Sequence, residues 1–278
     1  MTAGLRVPCA YQGGKQRIAK QIVEKLLLAS DSEDTIFYDL CCGSGAISIE
    51  LVNRGVTPNR IIMLDCSSWG RFWTAVGAGD FDTRYFDLLL ADLPENKRGI
   101  KEYMTRLSLA PVNEHEAEIY PILQACSFGG KQIWRNAGKW ENAFFRDYWE
   151  PTATSVRRSP ANPMQPSPKE LRRRICNLIE GMHGVRCLAT DIMQLLNCNV
   201  PSNSVVYIDP PYSGTTGYAF GFDVCQFVNQ LRLKTEAPIF VSEGMPLNNN
   251  AMQLHFGGAK GGISGTRIGK HQEWISRF

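Results

Sequence analysis

The chain has 278 residues, 44% of them hydrophobic, and 30 Lys/Arg against 27 Asp/Glu give a net charge of +3. That is enough for one large domain or two small ones with a real core. No run of 18 apolar residues occurs, so no membrane span is expected, and Met1-Thr-Ala-Gly-Leu-Arg6 lacks the layout of a secretory signal. Nine cysteines without a Cys-x-x-Cys pair and four histidines without metal-ligand spacing point to reduced thiols, a cytoplasmic location and no metal site.

In chain order, Tyr11-Gln-Gly13-Gly14-Lys15 precedes an amphipathic helix in which Ile18, Ile22, Val23, Leu26 and Leu27 share one face. The two glycines let backbone approach a ligand, and Lys15 could reach a carboxylate; a plain capping turn with a surface lysine is the other reading. Thr35 to Asp39 reads as a strand, Leu40-Cys41-Cys-Gly43-Ser-Gly45 as a glycine-rich turn, and Ala46 to Leu51 as the start of a helix. Strand, Gly-x-Gly turn and helix form the first unit of a nucleotide-binding α/β fold. The missing third glycine argues against a dinucleotide. An acid four positions before Gly43 suits the ammonium of S-adenosylmethionine. Arg60 to Asp65 is a second strand ending in an acid, where a ribose hydroxyl pair is normally held, although a turn-former after a strand has the same look.

From about Ser67 to Met182 the strand–helix alternation falters and aromatics are frequent, among them Trp69, Trp73, Trp134, Trp140 and Trp149. Most of these are expected as the core of a small helical insertion. Between Lys131 and Arg174 lie ten Lys/Arg and four Asp/Glu, with the proline-rich stretch Ser159 to Pro168 inside. Such a segment reads as a loop or semi-rigid arm, and its charge as a phosphate-binding face or as solvated loop. Lys169 to Met182 reads as a helix whose Arg172-Arg-Arg174 cluster touches a nucleic-acid backbone or faces solvent. Val185 to Asp191 is strand-like and again ends in an acid, a candidate for the adenine end of a cofactor pocket.

Ser204-Val-Val-Tyr-Ile-Asp209-Pro210-Pro211-Tyr212 is the stretch around which the chain is organised. A β-branched apolar run reads as a buried strand, and α/β sheets place ligands at the carboxyl ends of their strands. The two prolines fix φ twice and remove two N–H donors. What results is a rigid bracket with a carboxylate, outward carbonyls and an aromatic face, or else a plain strand stop that continues into the turn residues Ser213 and Gly214. Beyond it, Phe222 to Leu233 reads as a helix, and Pro238 to Ser242 as a strand ending in Glu243-Gly244. Gly257 to Gly269 reads as a glycine-heavy hairpin and His271 to Phe278 as a final strand.

Asp-Pro-Pro-Tyr is the signature of amino-methyltransferases. The order Tyr11–Lys15, Asp39–Gly45, basic insertion, Asp209–Tyr212 is similar to the Dam-like, alpha-order DNA adenine-N6 methyltransferases, over nearly the whole chain including Glu273-Trp274. Phe128-Gly-Gly-Lys131, Arg146-Asp-Tyr-Trp-Glu-Pro and Arg158-Ser-Pro-Ala-Asn-Pro-Met resemble the phage and prophage branch. One departure stands in the cofactor loop, where the family usually has an aromatic and this chain has Cys41.

The resemblance implies a Rossmann-like methyltransferase sheet from 1–68 and 183–278, with a mainly helical target-recognition domain inserted at 69–182. It implies S-adenosylmethionine as methyl donor and double-stranded DNA as substrate, with the target adenine flipped out of the duplex. Catalysis then falls to Asp209, Pro210, Pro211 and Tyr212. The cofactor falls to Tyr11, Gly13, Gly14, Lys15, Asp39, Cys41, Gly43, Gly45, Asp65, Asp191 and Asp209. Lys131, Arg135, Arg157, Arg158 and Arg172 are the expected DNA contacts. An N4-cytosine or RNA adenine methyltransferase, or a non-catalytic DNA-binding module on the same fold, are the alternatives.

Overall fold

Strand-forming runs and amphipathic helices alternate along the chain, and the computed structural model describes residues 4–212, 222–254 and 272–278. In order these are α1 (Ala19–Leu28), β1 (Ile36–Leu40), α2 (Ala46–Asn53), β2 (Ile61–Leu64) and α3 (Ser68–Ala78). Three more helices follow, α4 (Thr83–Ala91), α5 (Ile100–Leu109) and α6 (Glu116–Cys126), then a hairpin of β3 (Trp134–Asn136) and β4 (Lys139–Glu141). After α7 (Pro168–Gly181) come β5 (Arg186–Leu188), β6 (Ser204–Ile208), α8 (Val224–Arg232), β7 (Ile239–Glu243), β8 (Met252–Leu254) and β9 (Glu273–Arg277). Ser213, Gly214, His271 and the expected hairpin at Gly257 to Gly269 lie outside the described residues. Among the described helices none is long and apolar enough to cross a membrane.

Among the described residues seven strands form one sheet in the order β5-β2-β1-β6-β7-β9-β8. The first five run parallel, and β9 pairs antiparallel with both β7 and β8. The fold is therefore mixed α/β with a mostly parallel, Rossmann-like sheet. Counted along this sheet alone, its first five strands follow the doubly wound order, with the reversed β9 inserted before the edge. The chain leaves β1 to build one half and returns at β6 to build the other, so β1 and β6 flank the point where strand order reverses.

The strands are apolar on both faces because both faces are covered. Phe37, Ile61, Met63, Val205, Tyr207 and Phe240 point to one side and pack with α1, α2 and α3. Their neighbours Tyr38, Leu40, Ile62, Leu64, Val206, Ile208, Ile239 and Val241 point to the other. There they meet α8 through Val224, Phe227, Val228 and Leu231, and the short 3-10 turn through Ile192, Leu195 and Leu196.

The expected insertion at 69–182 is helical in its first half and then carries the β3–β4 hairpin and an irregular stretch over 142–167. Its first helix covers the sheet. Trp69, Phe72 and Trp73 on α3 are fully buried, and one apolar core continues from them to Met104 on α5 and Tyr120 on α6. The aromatics thus divide by physical role. Trp69, Trp73, Phe86, Trp140 and Phe145 are core, while Phe128, Phe144 and Trp149 are exposed.

Trp69 is the hinge of this core, in edge-to-face contact with Tyr11, Phe72 and Tyr120 at centroid distances of 5.8, 5.6 and 5.1 Å. Trp69→Ala is expected to lower unfolding stability by about 3–5 kcal/mol, read from urea unfolding midpoints of the two proteins.

Candidate active site

The parallel strands end on one rim, and three of them end in an aspartate. In register, Asp39 of β1 lies between Met63 of β2 and Tyr207 of β6. Asp65 follows β2 directly. Asp209 follows β6, its N–H donating to the Leu40 carbonyl at 3.1 Å, one step past the paired strand. All three line one cavity of about 860 Å³ at the reversal of strand order, where doubly wound sheets hold their ligands. Tyr11, Gly13, Gly14, Lys15, Cys41, Gly43, Asp191, Pro210, Pro211 and Tyr212 line the same cavity. Gly45 stands just behind it.

The glycine-rich turn is shaped by aromatic neighbours. Gly43 has φ +50°, and a Cβ there would meet the Tyr11 ring at 2.9 Å. Gly45 has φ +75°, and a Cβ would lie 2.2 Å from Trp73. Trp73 in turn donates its indole N–H to the Gly43 carbonyl at 2.9 Å. Both positions therefore need glycine, for backbone conformation and for space. Cys41 adopts φ +58° in the same loop, a conformation uncommon for a residue with a side chain. Burial, with Asp65 beside it, pushes the Cys41 thiol well up, so it is neutral at physiological pH.

The acids are differently committed. Asp39 Oδ2 accepts from the Ser48 N–H at 3.1 Å and the Ser48 hydroxyl at 2.7 Å, which ties β1 to the first turn of α2. Asp65 accepts from the Gly43 N–H at 2.7 Å with one oxygen, and from the Ser67 N–H and hydroxyl at 2.8 and 2.5 Å with the other. Asp65, expected at the ribose, thus also clamps the glycine turn to the start of α3. Asp191 is exposed on the cavity rim and caps the following 3-10 turn through the Met193 N–H at 2.8 Å.

Lys15 is buried, and its ammonium lies 2.6 Å from Asp209 Oδ1, 3.6 Å from Glu273 Oε1 and 3.0 Å from the Gly13 carbonyl. It also sits 4.6 Å from the centroid of the Tyr212 ring. Tyr212 donates its hydroxyl to the same Glu273 Oε1. Burial raises the Asp209 carboxyl while Lys15 pulls it back down. Glu273 behaves alike, raised by burial and lowered by Lys15 and Tyr212.

Glu273 and Glu243 are site residues that the sequence reading did not assign. Glu243 ends its strand in an acid, the signal already used for Asp39, Asp65 and Asp209. Glu273 starts a strand, but β9 runs backwards, so its beginning lies on the rim where the parallel strands end. Pairing of Glu243 with Trp274 brings the two acids to one level.

The expected DNA contacts separate. Lys131 is exposed next to Gln132, which lines the cavity. Arg157 and Arg158 are exposed and donate to the Pro160 and Ala153 carbonyls at 3.0 and 3.1 Å; among the described residues neither meets a carboxylate within 4 Å. Arg135 instead lies 3.2 Å from the buried Glu116, and Arg172 makes a two-pronged bond to Asp87 at 2.7 and 2.8 Å. Arg173 and Arg174 both hold Glu170. Arg135 therefore ties the hairpin to α6 and Arg172 ties α7 to α4, while Arg173 and Arg174 share one carboxylate within α7.

The cavity is lined by six carboxylates (Asp39, Asp65, Asp191, Asp209, Glu243, Glu273) and two cations, Lys15 and Arg17. That set favours a cationic ligand and disfavours a pyrophosphate. S-adenosylmethionine, a sulfonium bearing an ammonium, fits the donor chemistry, and the volume is within the range of small-molecule sites. No protein-family model matches the chain, and no curated protein matches it.

Burial pushes the Asp39 carboxyl up to about 7, against the two Ser48 hydrogen bonds and with Asp209 and Asp65 adding to the rise. An unfolded aspartate loses its proton near pH ~4. Between those values the folded chain holds the extra proton, so the stability contributed by Asp39 falls as pH rises from about 4 to about 7. Asp39→Asn is expected to flatten the decline of the urea midpoint across that window. An unchanged slope would mean that Asp39 does not titrate there.

Proposed function

We propose that this chain is an S-adenosylmethionine-dependent methyltransferase acting on the amino group of adenine in duplex DNA. The observation that carries the reading is the meeting, in one acid-lined cavity at the strand-order reversal, of the glycine turn and the Asp209-Pro-Pro-Tyr212 bracket. The finer fold reading belongs to the same proposal, a methyltransferase sheet with the insertion at 69–182 serving target recognition.

In this reading Asp39, Asp65, Lys15, Tyr11 and the loop Cys41–Gly45 would hold the cofactor, which when bound supplies an electrophilic methyl group on sulfur. The adenine amine is a poor nucleophile because its lone pair is delocalised into the ring. Asp209 and the Pro210 carbonyl accept its two hydrogens and draw the nitrogen towards tetrahedral geometry. They thereby stabilise the positive charge that grows on the nitrogen, an electrostatic effect placed where charge develops. Pro211 disfavours the helical conformation at Pro210, which keeps the Pro210 carbonyl out of a helix ladder. Tyr212 offers a stacking surface for the flipped base. Lys15 lies against one face of the Tyr212 ring. A bound base and cofactor exclude water from this centre, which strengthens every charge interaction in it.

Duplex docking is supported by Lys131, Arg157 and Arg158, whose charges the described residues leave available for phosphates. The exposed Phe128, Phe144 and Trp149 belong to the same part of the chain.

Incubation with labelled cofactor and duplex DNA, followed by digestion to nucleosides and mass spectrometry, is expected to yield N6-methyladenine. A methylated cytosine, or product from RNA alone, would replace the substrate assignment. Asp209→Ala is expected to lower transfer at least about a hundredfold while calorimetry still shows cofactor binding; near wild-type transfer would refute the role of Asp209. Arg157→Ala or Arg158→Ala should each lower the slope of log affinity against log salt by about one, measured by fluorescence anisotropy with duplex DNA. An unchanged slope would remove that loop from the docking face.

A further inference from the structure

We infer that Glu273, on the reversed strand β9, is a positioning residue for the transfer centre: it anchors Tyr212 and shares Lys15, so that Asp209 keeps one carboxylate oxygen committed and the other available to the substrate amine. The inference rests on the methyltransferase reading and names a residue outside the Asp209–Tyr212 bracket.

The geometry is a closed cluster. Glu273 Oε1 accepts the Tyr212 hydroxyl and faces the Lys15 ammonium at 3.6 Å. The same ammonium is 2.6 Å from Asp209 Oδ1 and lies over the Tyr212 ring. These four groups come from three separate parts of the chain: the loop before α1, the end of β6 and the start of β9. Glu273 is 5% exposed and Lys15 5%, so water replaces neither contact cheaply. One cation serves two carboxylates, and by distance Asp209 holds the larger share, because the attraction falls with separation.

Removing the Glu273 charge has a definite consequence. Of the two carboxylates the ammonium then serves only Asp209, and a negative charge near Asp209 is gone, which favours the ionised carboxylate and moves its titration to lower pH. Removing the Glu273 side chain altogether also releases the Tyr212 hydroxyl, and with it the ring on which the base stacks. Glutamine separates the two effects, since its amide oxygen can still accept from Tyr212 but carries no charge. The other groups that act on Asp209 or are acted on by it are Lys15, Asp39, Cys41, Tyr207, Tyr212 and Glu243, and all are unchanged in the comparison.

The test uses the full chain with 13C-carboxyl-labelled aspartate, the Asp209 signal being assigned through Asp209→Asn. In Glu273→Gln the Asp209 titration midpoint is expected to move to lower pH, and the acidic limb of the kcat–pH profile to move with it, with kcat reduced less than threefold. In Glu273→Ala kcat is expected to fall more than tenfold, with the same midpoint shift. If Glu273→Ala does not fold, the midpoint and the kcat limb in Glu273→Gln decide the matter alone. An Asp209 midpoint unmoved in Glu273→Gln, or a Glu273→Ala enzyme at wild-type kcat, overturns the inference. A wild-type protein that transfers no methyl while the midpoint still moves would overturn the methyltransferase reading and leave the Glu273 clamp standing.

Discussion

One buried ammonium among several carboxylates is the constraint on which the rest of the site depends. Lys15 comes from a glycine-bearing loop before α1, yet its charge is spent at the far end of β6 and the near end of β9. A buried charge is tolerable only when paired and hydrogen-bonded. Without Lys15, Asp209 and Glu273 would face each other in a mostly buried site with no cation between them. With it, a carboxylate can stand ionised beside a rigid double-proline corner, as the proposed grip on an aromatic amine requires.

The pieces around that centre are held by polar contacts that do structural and chemical work together. Asp39 ties β1 to α2 through Ser48, and Asp65 ties the glycine turn to α3 through Gly43 and Ser67. Tyr11 and Trp73 close over the same turn from two sides, which is why Gly43 and Gly45 admit no side chain. The glycine turn is therefore preorganised by the apolar core of α3. A ligand arriving there meets backbone already in place, and little ordering entropy is lost on binding.

Charge behaves differently in the sequence and in space. The stretch from Lys131 to Arg174 is strongly basic by count, yet Arg135 and Arg172 are paired with Glu116 and Asp87, and Arg173 and Arg174 share Glu170. Two acids of the same stretch, Asp147 and Glu150, are paired in turn with Lys101 and Arg98 from α5 and the turn before it. The charge presented to a partner is thus set by tertiary pairing, and among the described residues of the stretch the exposed cations with no carboxylate within 4 Å are Lys131, Lys139, Arg157, Arg158 and Lys169.

Local periodicity and local chemistry were enough for the strands at 36–40, 61–64, 204–208 and 239–243, for α1, α7 and α8, and for the acids at strand ends. Those signals are carried by neighbours in sequence: apolar runs, caps, glycines and prolines. The bracket Asp209–Tyr212 and the glycine turn were legible for the same reason, because each is a contiguous motif whose backbone demands particular residues. What tertiary structure alone decided was direction and partnership. Strand β9 runs against its neighbours, and that reversal carries Glu273, an acid at a strand's beginning, to the rim where the other strands end. Nothing local in Glu273-Trp-Ile-Ser-Arg277 states which way the strand will run, since direction is chosen by pairing with β7 and β8.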